Sequence, residues 1–144
     1  MSLRPSVPEG HPPLEIYISW LWERHAEDLE LVVLFGSRAR GDALEDSDYD
    51  LLIGLRREDG LRFIDRLLVY QDELTGRADV FPYCPSDLAL MEADDNLLLL
   101  EAFADGKVLF DRGEWNRMLE AHSRAVAAGR VRRTPLCWIV RDGA

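Results

Sequence analysis

The stretch LFGSRARGDALEDSDYDLLI, residues Leu34–Ile53, decides how the rest of the chain is read. The β-branched and aromatic run Glu30–Gly36 ends in glycine and reads as a buried strand. The connector SRARGDALEDS is rich in charge and small residues, and Asp48–Leu55 then reads as a second strand. Alternate residues of a strand point the same way, so Asp48 and Asp50 share one face and Tyr49 takes the other. Two neighbouring carboxylates resist ionising together unless a cation sits between them. Mg²⁺ is the simplest such cation, since it takes one or two carboxylates together with phosphate oxygens. Upstream, Gly36 lets backbone N–H groups approach a phosphate closely, and the Ser37 hydroxyl adds a donor. If the two strands are neighbours, the glycine turn and the acid pair lie at one sheet edge and form a site for a metal-bound nucleoside triphosphate.

Other readings of the same letters fail at identifiable positions. DSDYDLLIGLRR begins like a calcium loop, but Leu51 stands where glycine is required and Arg57 where glutamate is required. GSRARGDA begins like a P-loop, but Asp42-Ala43 replaces the Lys-Ser/Thr that would neutralise phosphate. Lys107 is the only lysine in the chain, so arginines must do any phosphate work. Taken alone, LEDSDYD could be a polar turn before a strand; the Gly-Ser directly after a buried strand tips the reading to a site.

Gly36-Ser37, ten intervening residues and Asp48-Tyr49-Asp50 make a G-S-x10-D-x-D signature. That signature resembles the DNA polymerase β-like nucleotidyltransferase superfamily, and the surrounding text is similar to its minimal nucleotidyltransferases. EAFADGKVLFDRG, Glu101–Gly113, is similar to the closing portion of that family, and the likeness covers roughly residues 14–120. The resemblance implies a third carboxylate on a later strand, and Asp79 in RADVFPY is the candidate; Asp72 and Glu73 belong to the preceding helix and suit the role less. It implies two Mg²⁺ ions held by Asp48, Asp50 and Asp79, with ATP as substrate and Asp79 helping to deprotonate the acceptor hydroxyl. Gly36 and Ser37 would hold the β- and γ-phosphates, with Arg38 and Arg40 adding charge-assisted bonds. Each arginine could equally form a surface pair with Asp42 or Glu45.

The resemblance also implies a partner and a reaction. Similar minimal nucleotidyltransferases are antitoxins that transfer AMP from ATP to a tyrosine of a HEPN-domain toxin. Two alternatives stand beside it: nucleotidyl transfer to a small-molecule hydroxyl, as in aminoglycoside-modifying relatives, and a non-catalytic antitoxin that acts by binding. At 144 residues the chain has little room for the extra helical domain of the first, although a homo-oligomer could supply a wall.

The remaining sequence sets the frame. Apolar residues make up 47% of the chain, which suits one folded domain with a modest core. No apolar run is long enough to span a bilayer. Cys84 and Cys137 lie far apart and the three histidines are scattered, which argues against zinc and suits a reducing cytoplasm. The net charge of −10 disfavours direct nucleic-acid binding. From Ala121 onward, however, Arg124, Arg130, Arg132, Arg133 and Arg141 face one acid, Asp142.

The pattern divides the chain into a flexible or extended N-terminal lead (1–12), a nucleotidyltransferase domain (13–128) and a basic C-terminal tail (129–144) that packs on the domain or a partner. Helical spacing appears over Pro13–Asp28 and again from Asp59 to Gly76, where Leu61, Ile64, Leu67, Leu68 and Leu74 fall near one face. Arg77–Cys84 reads as a strand cut short by proline. One or two helices follow from Ser86-Asp87 to Gly106, then the short strand KVLFD, a helix over Glu114–Ala128, and an extended TPLCWIV against the core. The order implies an α/β (α+β) domain, a small mixed sheet flanked by helices, as in the polymerase β-like fold.

Overall fold

A run of four consecutive buried residues, Leu31–Leu34, can be satisfied only by a strand covered on both faces, and that strand is the centre of the molecule. The computed structural model describes residues 3–44 and 46–141. Glu45 and its expected pairing with Arg38 or Arg40, and Asp142 in the tail, lie outside the described residues. In chain order the elements are α1 (Pro12–His25), β1 (Leu29–Phe35), α2 (Ser37–Arg40), β2 (Tyr49–Leu55), α3 (Phe63–Tyr70) and β3 (Ala78–Tyr83). They continue with α4 (Pro85–Ala93), α5 (Leu97–Asp105), β4 (Lys107–Asp111), α6 (Glu114–Ala127), β5 (Val131–Arg133) and β6 (Trp138–Val140).

Among the described residues the strands form one four-stranded sheet, ordered β3-β2-β1-β4, and a separate β5-β6 hairpin. β1 pairs antiparallel with both β2 and β4, whereas β2 pairs parallel with β3, so the sheet is mixed. Alternation along the strands feeds two apolar layers. On one face Val32, Leu34, Leu51 and Ile53 meet Leu14, Tyr17, Ile18 and Leu21 of α1. Spacing of three and four residues puts that α1 set on one stripe, and each buried aliphatic side chain stabilises by ~1.5–3 kcal/mol. On the other face Leu31, Val33 and Leu52 meet Leu88 of α4, Leu99 and Ala102 of α5, and Trp115 and Met118 of α6. None of the described helices is long and apolar enough to cross a membrane.

Three local expectations change. Pro82 does not cut β3 short: β3 is the sheet edge, where a residue with no N–H costs the ladder nothing, and it runs on to Tyr83. Helix α3 is shorter than the apolar spacing suggests and buries a different face. Leu61, Ile64, Leu68 and Leu74 are exposed, while Arg66 and Tyr70 are buried. The cause is electrostatic. The Arg66 guanidinium donates to Asp59 at 2.7 and 2.8 Å, to Asp87 at 3.2 Å and to the carbonyl of Leu61, which pins α3 to the start of α4. The helix ends because the Asp72 carboxylate accepts from the N–H groups of Leu74, Thr75, Arg77 and Ala78, a local alternative to helical bonding.

Both described ends of the chain, from residue 3 and up to residue 141, lie on the domain. The N-terminal lead is extended, with the Ser6 N–H donating to the Leu109 carbonyl of edge strand β4 at 2.8 Å. The basic tail forms the β5-β6 hairpin rather than an extension of the core. Arg130 makes a two-point pair with Asp95, Arg133 pairs with Glu101 and Asp105, and the Trp138 indole donates to Glu101.

Candidate active site

Strand register builds the site. Phe35, the last residue of β1, lies opposite Asp50 in β2, and Asp50 lies beside Asp79 in β3. Asp50 and Asp79 therefore share a sheet face, and both sit where β1 ends in Gly36. Asp48 stands one residue ahead of β2, in the connector, with its side chain 58% exposed. Asp50 is half-buried and Asp79 is exposed. The rings of Phe35 and Phe81 pair with centroids 5.5 Å apart on the same sheet face.

Gly36 is the geometric key. Its backbone, at φ +74° and ψ −158°, turns the chain from β1 into α2 in a conformation that L side chains rarely adopt. A Cβ there would stand 2.3 Å from Asp50 Oδ2, so the Asp50 carboxylate lies directly against the turn. Ser37 follows, half-buried, at the start of α2. The turn and the acid pair thus share one sheet edge.

The electrostatics record the same convergence. Burial pushes the Asp50 carboxyl up, and the charges of Asp79 and Asp48 push it further, while Arg40 opposes them. A carboxyl raised in this way beside two further acids forms a donor set suited to a hard cation. Among the described residues no three His, Cys, Asp or Glu side chains are gathered closely enough to hold an ion by themselves. Mg²⁺ fits such an open set, because it keeps several waters and shares phosphate oxygens rather than needing an all-protein cage.

The two arginines of the connector part ways. Arg40 reaches Asp50 electrostatically and also pairs with Asp42 at 3.3 Å. Arg38 reaches back along the connector. Its Nε and Nη2 donate to the Ser47 carbonyl at 3.1 and 2.8 Å, and its guanidinium lies 4.4 Å from the centre of the Tyr49 ring. Tyr49 is buried with the α1-side core, on the face opposite Asp50. Sequence reasoning missed Arg77, which donates to the same Ser47 carbonyl at 2.8 Å and lies 3.9 Å from Asp48. The one signal for it was its position two residues before Asp79.

With this geometry in hand, the comparisons with known proteins agree on a family. Residues 20–114 match the family described as Polymerase beta, Nucleotidyltransferase. A relative from Methanocaldococcus jannaschii, named as a candidate protein adenylyltransferase, is 33% identical over 115 residues, covering 74% of this chain and 76% of its own. A chain from the crystal structure of a toxin–antitoxin with AMP-PNP is alike in fold, with a TM-score of 0.51 at 18% identity, covering 81% of this chain and 91% of that one. A chain from the complex of tri-AMPylated Shewanella oneidensis HEPN toxin with MNT antitoxin gives a TM-score of 0.43 at 16% identity, over 82% of this chain and 88% of that one. The family match spans most of the chain, including Gly36, Ser37 and the paired acids, and the relative is one-third identical: the chain belongs to the polymerase beta nucleotidyltransferase family.

Proposed function

We propose that the protein transfers AMP from ATP to a tyrosine hydroxyl of a partner protein, a HEPN-type toxin, with Mg²⁺ held by Asp48, Asp50 and Asp79. The observation that carries this reading is the placement of Asp50 between Asp79 and the Gly36 turn. The relative named as a candidate protein adenylyltransferase supports a protein acceptor. Both cysteines are free thiols, Cys84 buried and Cys137 exposed, which suits work in a reducing cytoplasm.

The chain's own residues divide the work. Gly36 and Ser37 hold the β- and γ-phosphates, and Arg40 adds charge at their side. Bound divalent cations would screen the triphosphate charge and polarise the phosphorus under attack. Asp79, the exposed acid, accepts the proton of the acceptor hydroxyl. The tyrosine oxygen then bonds to the α-phosphorus as the α-phosphorus bond to the bridging oxygen breaks, and pyrophosphate leaves.

Intact-mass analysis of the partner after incubation with this protein, ATP and Mg²⁺ tests the proposal. The partner should gain the mass of one or more AMP groups on tyrosine, and Asp48→Ala or Asp50→Ala should abolish the gain. A partner silenced equally by those variants, with no change of mass, would show an antitoxin that works by contact.

A further inference from the structure

We propose that Arg38 and Arg77 are positioning residues for Asp48, joined through the Ser47 carbonyl and the Tyr49 ring; this rests on the reading of Asp48 as a metal ligand. Asp50 and Asp79 are held by strand ladders, but Asp48 precedes β2 and has no such support. The support comes from the residues on either side of it. Ahead of Asp48, the Ser47 carbonyl accepts N–H groups from both arginines, two from Arg38 at 3.1 and 2.8 Å and one from Arg77 at 2.8 Å. Those bonds fix the orientation of the peptide plane that leads into Asp48. Behind it, the Tyr49 N–H donates to the Arg77 carbonyl at 2.7 Å.

The Tyr49 ring completes the clamp. The Arg38 guanidinium lies 4.4 Å from its centre and that of Arg77 5.9 Å, a cation–π arrangement in a buried setting. The Tyr49 hydroxyl is hydrogen-bonded to His11 Nδ1 at 3.1 Å, which ties the clamp to the start of α1. Arg38 belongs to α2, the helix that begins at Ser37, so its grip on Ser47 couples the phosphate turn to the metal ligand across the whole connector. A planar fork that donates twice and stacks at once is a task for arginine; lysine keeps the charge but loses the geometry.

The two roles open to Arg38 separate experimentally. Mn²⁺ titration of the full chain, followed by electron paramagnetic resonance, reads metal affinity without partner or turnover. Positioning predicts that Arg38→Lys and Arg77→Lys each weaken Mn²⁺ binding about 10–100-fold, the usual effect of losing an outer-shell partner of a metal ligand. Thermal midpoints should stay near that of the wild type, and KM for ATP should be little changed at saturating metal. Tyr49→Phe, which keeps the ring, should bind Mn²⁺ nearly as well as wild type. Wild-type Mn²⁺ affinity in Arg38→Lys, with a raised KM for ATP in Arg38→Met, would overturn the clamp in favour of a phosphate contact. If the wild-type chain shows no Mn²⁺ binding that depends on Asp48 and Asp50, the metal-site reading falls, and the clamp with it.

Discussion

Replacing Gly36 with alanine separates the cost of a strained backbone from the loss of a working site. The new Cβ would lie 2.3 Å from Asp50 Oδ2, whereas ordinary contacts begin near 3.4 Å, so the carboxylate must retreat by about 1 Å. The glycine conformation, φ +74° with ψ −158°, is all but closed to L residues and adds ~1–3 kcal/mol of strain. For a domain of this size each kcal/mol lowers the midpoint by about 3–5 °C, so a fall of roughly 3–15 °C is expected. A displacement of about 1 Å at a reacting centre costs ~10²-fold in rate. Gly41→Ala supplies the comparison. Gly41 is left-handed at φ +81° with nothing within 4 Å of its would-be Cβ, so it carries a strain of ~1–2 kcal/mol and no clash. Thermal melts and AMP-transfer rates measured on both variants decide the matter. Similar losses of stability, with activity lost only in Gly36→Ala, match the geometry. Activity in Gly36→Ala within about threefold of wild type would refute the placement of Asp50 against the turn, since the 1 Å shift predicts a far larger loss.

Asp50→Asn should abolish transfer yet raise the melting temperature of the ligand-free protein at neutral pH, because it removes a carboxylate whose ionisation is opposed by burial, Asp79 and Asp48. The sign follows from the raised carboxyl: its contribution to stability is present below the ordinary carboxylate range and is lost as pH rises through its elevated value, so the wild-type-minus-variant difference in unfolding free energy should become more unfavourable in that direction. Arg66→Met leaves Asp59 and Asp87 beside a buried gap and should cost about 2–4 kcal/mol by urea unfolding, less than a fully buried pair because both acids keep solvent contact. His122, stacked on Phe103 and edge-on to Trp138, is held below the usual histidine range by burial, with Arg130 adding to the effect and Asp95 opposing it. Its contribution is therefore present above the ordinary histidine value and is lost as pH falls, and His122→Phe should flatten the decline in stability on the acid side of neutrality.

The opening stretch carried most of the site in local form. A glycine after a buried strand, and two acids two residues apart at the start of another, are constraints of backbone geometry and side-chain direction, and both act within a few residues. The same locality made β1, β2, α1, α4, α5 and α6 legible, since each has an apolar period or a recognisable stop. What lay beyond reach was set by partners distant along the chain. The apolar residues of α3 suggested a buried leucine face, but a buried arginine is stable only where acids from other segments meet it, and Asp59 and Asp87 do so only in the folded chain. Pro82 looked like a strand breaker because edge and interior strands have the same letters, and only sheet order distinguishes them. The contacts of Arg38 were out of reach because the Ser47 carbonyl and the Tyr49 ring that hold it are brought together by the return of the connector to β2. The two-part signature and the elements that carry it are written in short-range spacing. Only the fold brings Asp79 beside Asp50, because pairing across a parallel ladder depends on register between strands almost thirty residues apart.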